Sequence, residues 1–184
     1  MPCRSPALRL EQKGKGVKAL RRFLLWLLVL LLLAGCFARP EGKESFKEAP
    51  AFRQPLLGGG ELNFPADCRG KVTLLIFFSP NCPACVQELI ALRDQFSSWE
   101  GQGVKIFLVA PEPPSVLTSF LQEYNLKVPV VLDPQGTVGS AYGVTGIPLS
   151  VWVDKQGRIK YKSLGWRAGK EKEFASWVAK LTQE

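Results

Sequence analysis

The spacing of apolar and polar positions divides the chain into three stretches. Phe23 to Ala38, FLLWLLVLLLLAGCFA, is an unbroken apolar run. After Cys36 comes FARPEGKESFKEAP; it is charged, carries two prolines and has little periodicity, which predicts a tether rather than a packed element. From about Ala51 to Glu184 the spacing changes to that of a folded domain, long enough to bury a core without disulfide staples. PAFRQPLLGGGELNFPADCRGK predicts two short strands around Gly58-Gly59-Gly60. KVTLLIFFSP, Lys71 to Pro80, is a continuous β-branched and aromatic run, as a central buried strand requires. A helical pattern follows, with Val86, Leu89, Ile90, Leu92, Arg93 and Phe96 marking one face. VKIFLVA reads as a second buried strand, and Pro113-Pro114-Ser115 opens a helix through Phe120, Leu121 and Tyr124. VPVVLD is a short strand and GTVGSAYG a helical turn. LSVWVDKQGRIKYKSLG alternates as a hairpin around Asp154-Lys155-Gln156-Gly157. Phe174, Trp177, Val178 and Leu181 give Lys170–Leu181 a helical stripe. The order β-β-β-α-β-α-β-β-α predicts an α/β domain, a mixed sheet with helices on both faces and an N-terminal β-hairpin extension.

Charge changes this picture little. Of 24 Lys/Arg and 16 Asp/Glu, seven basic and one acidic residue lie in residues 1–35, which leaves 17 and 15 in the remainder. The net charge of +8 therefore belongs mostly to the leader, and no basic patch for nucleic acid is left in the domain. The absence of histidine excludes more: imidazole cannot serve as ligand, general base or pH switch. Ser-His and Cys-His catalysis and Cys/His zinc sites are excluded with it. The only methionine is Met1, so a thioether copper site is excluded as well.

The apolar run is short for a permanent span of ~20 residues. Its basic start, apolar middle and small residues at the end predict a secretory signal over residues 1–35. Leu33-Ala34-Gly35-Cys36 resembles the lipobox of bacterial lipoproteins, in which the peptide before the cysteine is removed and the new N-terminal cysteine is lipidated. The alternative is an uncleaved anchor with an incidental cysteine. Either way the domain lies outside the cytoplasm at a membrane, behind a flexible tether over residues 36–50.

Cys82-Pro83-Ala84-Cys85 admits three readings. A structural zinc site needs four N/S ligands, and with Cys36 lipidated only Cys68, Cys82 and Cys85 are left. A structural staple would close four residues, worth about 2 kcal/mol against about 4 for a loop of seventy. A reactive pair has a mechanism. Cys82 would sit at a helix N-terminus with Pro83 at the first helical position, where free N–H groups and the helix dipole stabilise a thiolate. The exposed Cys82 would attack a partner disulfide and Cys85, one turn in, would resolve it. No metal or cofactor is called for.

Three segments, GKVTLLIFFSPNCPACVQEL, VVLDPQGTVGSAYGVTGIP and VWVDKQGRI, together resemble the thioredoxin fold in its membrane-tethered form, the TlpA/ResA-like thiol-disulfide oxidoreductases. The resemblance covers about residues 51–184. It implies that Cys82 is the nucleophile and Cys85 the resolving cysteine. It also implies that Pro148 is cis, turning the Ile147 backbone toward an extended substrate that adds as a strand. Glu88 matches the family's CxxCxxE pattern, as a proton-handling group or as a plain helix-surface carboxylate. Two positions depart from the pattern: Asn81 replaces the usual Trp before the first cysteine, and Ile76 stands where thioredoxins proper bury an aspartate. Cys68 falls at an apolar position of the family and reads as a small buried hydrophobe, with a third redox cysteine as the alternative.

The implied partners are secreted or membrane-attached thiol/disulfide proteins, such as an apocytochrome c, and a membrane electron donor. Pro83-Ala84 lacks the histidine of strong oxidants, and Ile147 resembles reducing thioredoxins, so a reductase is expected. Alternatives are a disulfide-forming oxidant, a peroxiredoxin-like peroxidase and a lipid-anchored binding module with an inert disulfide. The peroxidase signature, Pro and Thr seven and three residues before the cysteine, meets Leu75 and Ser79 here.

Overall fold

The computed structural model describes residues 47–184. The signal sequence, Cys36 and residues 36–46 of the tether lie outside the described residues. Along the chain run β1 (Phe52–Pro55), β2 (Glu61–Phe64), a 3-10 turn (Ala66–Cys68), β3 (Val72–Phe77), α1 (Pro83–Gly101) and β4 (Val104–Ala110). Then follow α2 (Pro114–Glu123), β5 (Val130–Leu132), α3 (Thr137–Ala141), β6 (Leu149–Val153), β7 (Ile159–Leu164) and α4 (Lys170–Gln183).

Five strands form a mixed sheet in the order β5-β4-β3-β6-β7. β3, β4 and β5 run parallel; β6 and β7 are antiparallel to their neighbours. All six residues of β3 are buried, as its unbroken apolar run requires of a strand covered on both faces. Alternation sends Val72, Leu74 and Ile76 to one layer with α1, α2 and α4, and Leu75 and Phe77 to the other with Phe64, Cys68 and Tyr142. β1 and β2 pair as a hairpin whose Gly58, Gly59 and Gly60 all have positive φ. Leu57 N–H donates to the Val130 carbonyl at 2.8 Å, so the hairpin covers the edge of the short strand β5.

One boundary and one helix face differ from the sequence reading. Residues 47–50, expected to be tether, are packed: Ala49 N–H donates to Gly157 O at 2.9 Å, Ile159 N–H to Lys47 O at 2.9 Å, and Tyr142 Oη to Pro50 O at 3.0 Å. Their backbone groups find partners on the β6–β7 turn, at the start of β7 and on Tyr142, and no apolar periodicity announces such pairing. The core face of α1 is also rotated. Leu89, Leu92, Phe96 and Trp99 anchor it, and the 3.6-residue period then draws in Cys85 and Glu88 one turn earlier. Ile90, expected on that face, is 41 % exposed.

The C-terminal ends of the three parallel strands meet at one edge of the sheet, the usual position for sites in such folds. Ser79, Glu112 and Asp133 lie there. Asp133 accepts from Thr137 Oγ1 and from the Val138 and Gly139 N–H groups, which fixes α3 and the loop that returns to β6.

Candidate active site

The strand-to-helix junction is held by local bonds. The Ser79 hydroxyl donates to the Glu112 carboxylate and accepts from Asn81 N–H at 3.2 Å, while Cys82 N–H donates to Ser79 O at 3.1 Å. Cys82 is the N-cap of α1 and Pro83 its first residue. Cys82 and Cys85 are paired as a disulfide with Cα atoms 5.2 Å apart. Cys82 is half-buried and Cys85 fully buried. The Cys85 N–H points at Cys82 Sγ from 3.2 Å, one of the free donors at a helix start that favour a thiolate on that sulfur once the pair is reduced.

The second wall comes from the start of β6. The Ile147–Pro148 peptide is cis, Pro148 is buried and Ile147 is 39 % exposed. The Ile147 carbonyl oxygen lies 3.8 Å from Cys82 Sγ. Gly165 N–H donates to Pro148 O at 2.8 Å, which ties this segment to the end of β7. Beside it a cavity of about 400 Å³ is lined by Phe78, Ser79, Val109, Pro111, Val144 and Ile147. It is largely apolar and shares Ile147 with the cysteine site.

Glu88 is a buried group, not a helix-surface carboxylate: it is 1 % exposed and accepts a 2.5 Å hydrogen bond from Ser150 Oγ. Burial raises its carboxyl from 4.5 to about 7, against the opposing effects of the Ser150 hydrogen bond and the positive charge of Lys170. Ser150 is the cross-strand partner of Ile76. A carboxylate from α1, held by β6, thus stands beside the strand position where thioredoxins proper carry aspartate. The pattern CxxCxxE marked Glu88, but Ser150 was missed. Its signal is a lone hydroxyl in the otherwise apolar strand LSVWV, because a buried hydroxyl needs a partner.

Cys68 lies in the opposite layer of the core, and burial pushes its thiol up. The sheet separates it from the pair, so the structure does not bring the three described cysteines together. Among the described residues no group of three or more His, Cys, Asp or Glu is placed to hold a metal ion.

The raised Glu88 carboxyl has a consequence for stability. The folded state holds a proton that the unfolded state has lost between pH 4.5 and about 7, so stability falls as pH rises through that window. Urea midpoints of the wild-type protein should fall between pH 5 and 8 by the equivalent of on the order of 3 kcal/mol, and E88Q should be markedly flatter. Equal pH slopes for the two proteins would contradict the burial of an ionisable carboxyl here.

The comparisons agree with this fold. Residues 46–162 match the model of the AhpC/TSA family. The thiol-disulfide oxidoreductase ResA of Bacillus cereus is 29% identical over 171 residues, which cover 88% of this chain and 97% of that protein. ResA of Geobacillus thermodenitrificans is 34% identical over 113 residues, 61% of this chain and 64% of that protein. Among solved structures, a thioredoxin-family thiol:disulfide interchange protein from Chlorobium tepidum superposes with a TM-score of 0.67 at 22% identity, covering 77% of this chain and 99% of its own. StoA from Bacillus subtilis does so with 0.60 at 24%, covering 71% and 97%. A half-buried cysteine at a helix start, its partner one turn in and a cis-proline beside them thus sit on a shared fold, and the chain belongs to the AhpC/TSA family as a thioredoxin-like thiol-disulfide oxidoreductase of the ResA type.

Proposed function

We propose that this protein reduces disulfides of extracytoplasmic proteins, with Cys82 as nucleophile, Cys85 as resolving cysteine and Glu88 as proton acceptor. The observation that carries this reading is the arrangement of the pair. The half-buried sulfur faces the Ile147 carbonyl and the Cys85 N–H, while Cys85 and Glu88 lie buried one turn apart on the same face of α1.

In the reduced protein the Cys82 thiolate attacks one sulfur of a substrate disulfide. A mixed disulfide forms and the first substrate sulfur leaves as a thiolate, which takes a proton from water. Cys85 then gives its proton to the Glu88 carboxylate, and its thiolate attacks Cys82 Sγ. The second substrate thiolate is released and the Cys82–Cys85 disulfide forms. The substrate gains two electrons and the enzyme dithiol loses them. A donor of two electrons, in this reading a membrane partner, returns the pair to the dithiol. The Ile147 backbone pairs with the extended substrate chain, and the neighbouring apolar cavity takes one of its side chains.

The resemblance set out above supports an apocytochrome c or another secreted disulfide protein as substrate. It also supports attachment to the membrane through a lipid on Cys36. Among the described residues no helix is long and apolar enough to cross a membrane.

Cys85→Ser should accumulate mixed disulfides with secreted thiol proteins on non-reducing gels, and Cys82→Ser should trap none. Equal trapping by both variants would refute the division of labour. The Cys82/Cys85 couple, equilibrated in a glutathione or dithiothreitol buffer, should lie nearer about −270 mV than about −120 mV. A value above about −180 mV would favour a disulfide-forming role, and one below about −300 mV an inert bridge. Cys36→Ser should abolish lipidation and leave the precursor uncleaved. A wild-type mature N-terminus far from residue 36 would rule out the lipobox.

A further inference from the structure

Lys170 breaks a local rule. It is the first residue of α4, at the positive end of the helix dipole, where a cation is disfavoured and Glu171 and Glu173 are the expected residue types. Its ammonium nevertheless folds back from the helix onto the end of β7. It donates to Ser163 Oγ at 2.8 Å, Leu164 O at 3.0 Å and Gly165 O at 2.6 Å. An ammonium has three donors, and here all three have acceptors, so the charge is fixed in place.

The position of that charge matters because of what adjoins it. Ser163 is buried and is the cross-strand partner of Ser150. Directly opposed residues of an antiparallel pair project to the same face with Cβ atoms roughly 5 Å apart. Ser150 in turn donates to Glu88. A polar track therefore crosses the sheet from Lys170 through Ser163 and Ser150 to Glu88, within an otherwise apolar layer. The groups around Glu88 can be named element by element. α1 contributes Cys85, β3 the apolar Ile76, β6 Ser150, β7 Ser163, and α4 the Lys170 ammonium, whose positive charge reaches the Glu88 carboxyl. Lys170 is half-buried, so its fixed charge is only partly screened by solvent before it reaches the buried carboxyl.

We propose that Lys170, acting through Ser163 and Ser150, is a positioning residue that sets how readily the Glu88 carboxylate takes up and returns the proton of Cys85. This rests on the reading of Glu88 as proton acceptor. Without the ammonium, Glu88 holds its proton to higher pH and accepts the Cys85 proton less often near neutrality. The same track ties the resolving step to the Gly165 and Pro148 carbonyl region, because Lys170 and the cis-proline segment share the end of β7.

The test uses the full-length protein and reads the Glu88 carboxyl itself. Its carbon-13 titration is assigned by its loss in E88Q. K170Q keeps a donor but removes the charge, and should move the titration upward by about half a unit, less than the roughly one to three units of a directly paired charge. K170R keeps the charge and should stay near wild type. S163A, which leaves the ammonium on its two carbonyls, should move it upward by less, and covers the case in which K170Q folds poorly. In parallel, release of thionitrobenzoate from its mixed disulfide with Cys82 reports the resolving step. In K170Q the midpoint of its pH profile should rise with the carboxyl titration, and the rate at pH 7 should fall about twofold. An unchanged Glu88 titration in K170Q and S163A would overturn the proposal. A shifted titration with an unshifted release profile would overturn the proton-acceptor reading, and the functional half of this proposal with it, while leaving the electrostatic link intact.

Discussion

The packing of α1 on β3 is the constraint from which the site follows. Leu89, Leu92, Phe96 and Trp99 bury against Leu74, Ile76 and Trp152, and burial of large side chains at ~2 kcal/mol each leaves no freedom to rotate the helix. The helical period then determines which earlier residues share that face. Cys85 and Glu88 are carried into the core whatever their polarity, while Cys82, at the cap, stays at the edge of the sheet. One packing decision thus separates an accessible sulfur from a buried one and places a carboxyl beside the second.

The start of β6 completes the arrangement. Four consecutive residues, Ile147 to Ser150, present a carbonyl to Cys82, a buried cis-proline, an apolar Leu149 to the opposite layer and a hydroxyl to Glu88. Because β6 pairs with β3 in fixed register, Ser150 lies opposite Ile76, and the strand cannot slip without moving every one of these contacts to the wrong face. The same segment is linked to β7 through Gly165, and β7 is linked to α4 through Lys170. The sulfur pair is therefore linked through hydrogen bonds to the C-terminal hairpin and helix, beyond the CxxC turn itself.

A chain without histidine needs another group near neutrality if protons are to move in a buried dithiol site. Here the desolvated Glu88 carboxyl occupies that range at about 7. Burial of an unpaired carboxylate is costly, and the single hydroxyl and the nearby ammonium reduce that cost without abolishing it. The stability lost at higher pH and the capacity to take up a proton are two consequences of the same desolvation. Burial acts in the same direction on Cys68, pushing its thiol up in the other layer of the core, away from the helix start that faces Cys82.

Much of this was legible in the sequence. The all-apolar run Val72–Phe77, the helical stripe after Pro83, the Gly-rich turn of the first hairpin and the alternation around Asp154-Lys155-Gln156-Gly157 each carry their own local period, and periodicity is what sequence records best. The CxxC pair and Glu88 were visible as a pattern, and the pattern led to the right fold. The state of Glu88 was not visible, because helix periodicity allowed Ile90 or Glu88 on the core face and only the neighbours of α1 decided between them. Residues 47–50, Ser150, Ser163 and Lys170 were silent for a related reason. Their roles lie in hydrogen bonds between segments distant along the chain, such as Ser150 to Glu88 across 62 positions. Local sequence determined which elements form and which sulfur heads a helix. The tertiary structure alone decided which polar groups meet in the core, because strand register and helix rotation are properties of the packed whole.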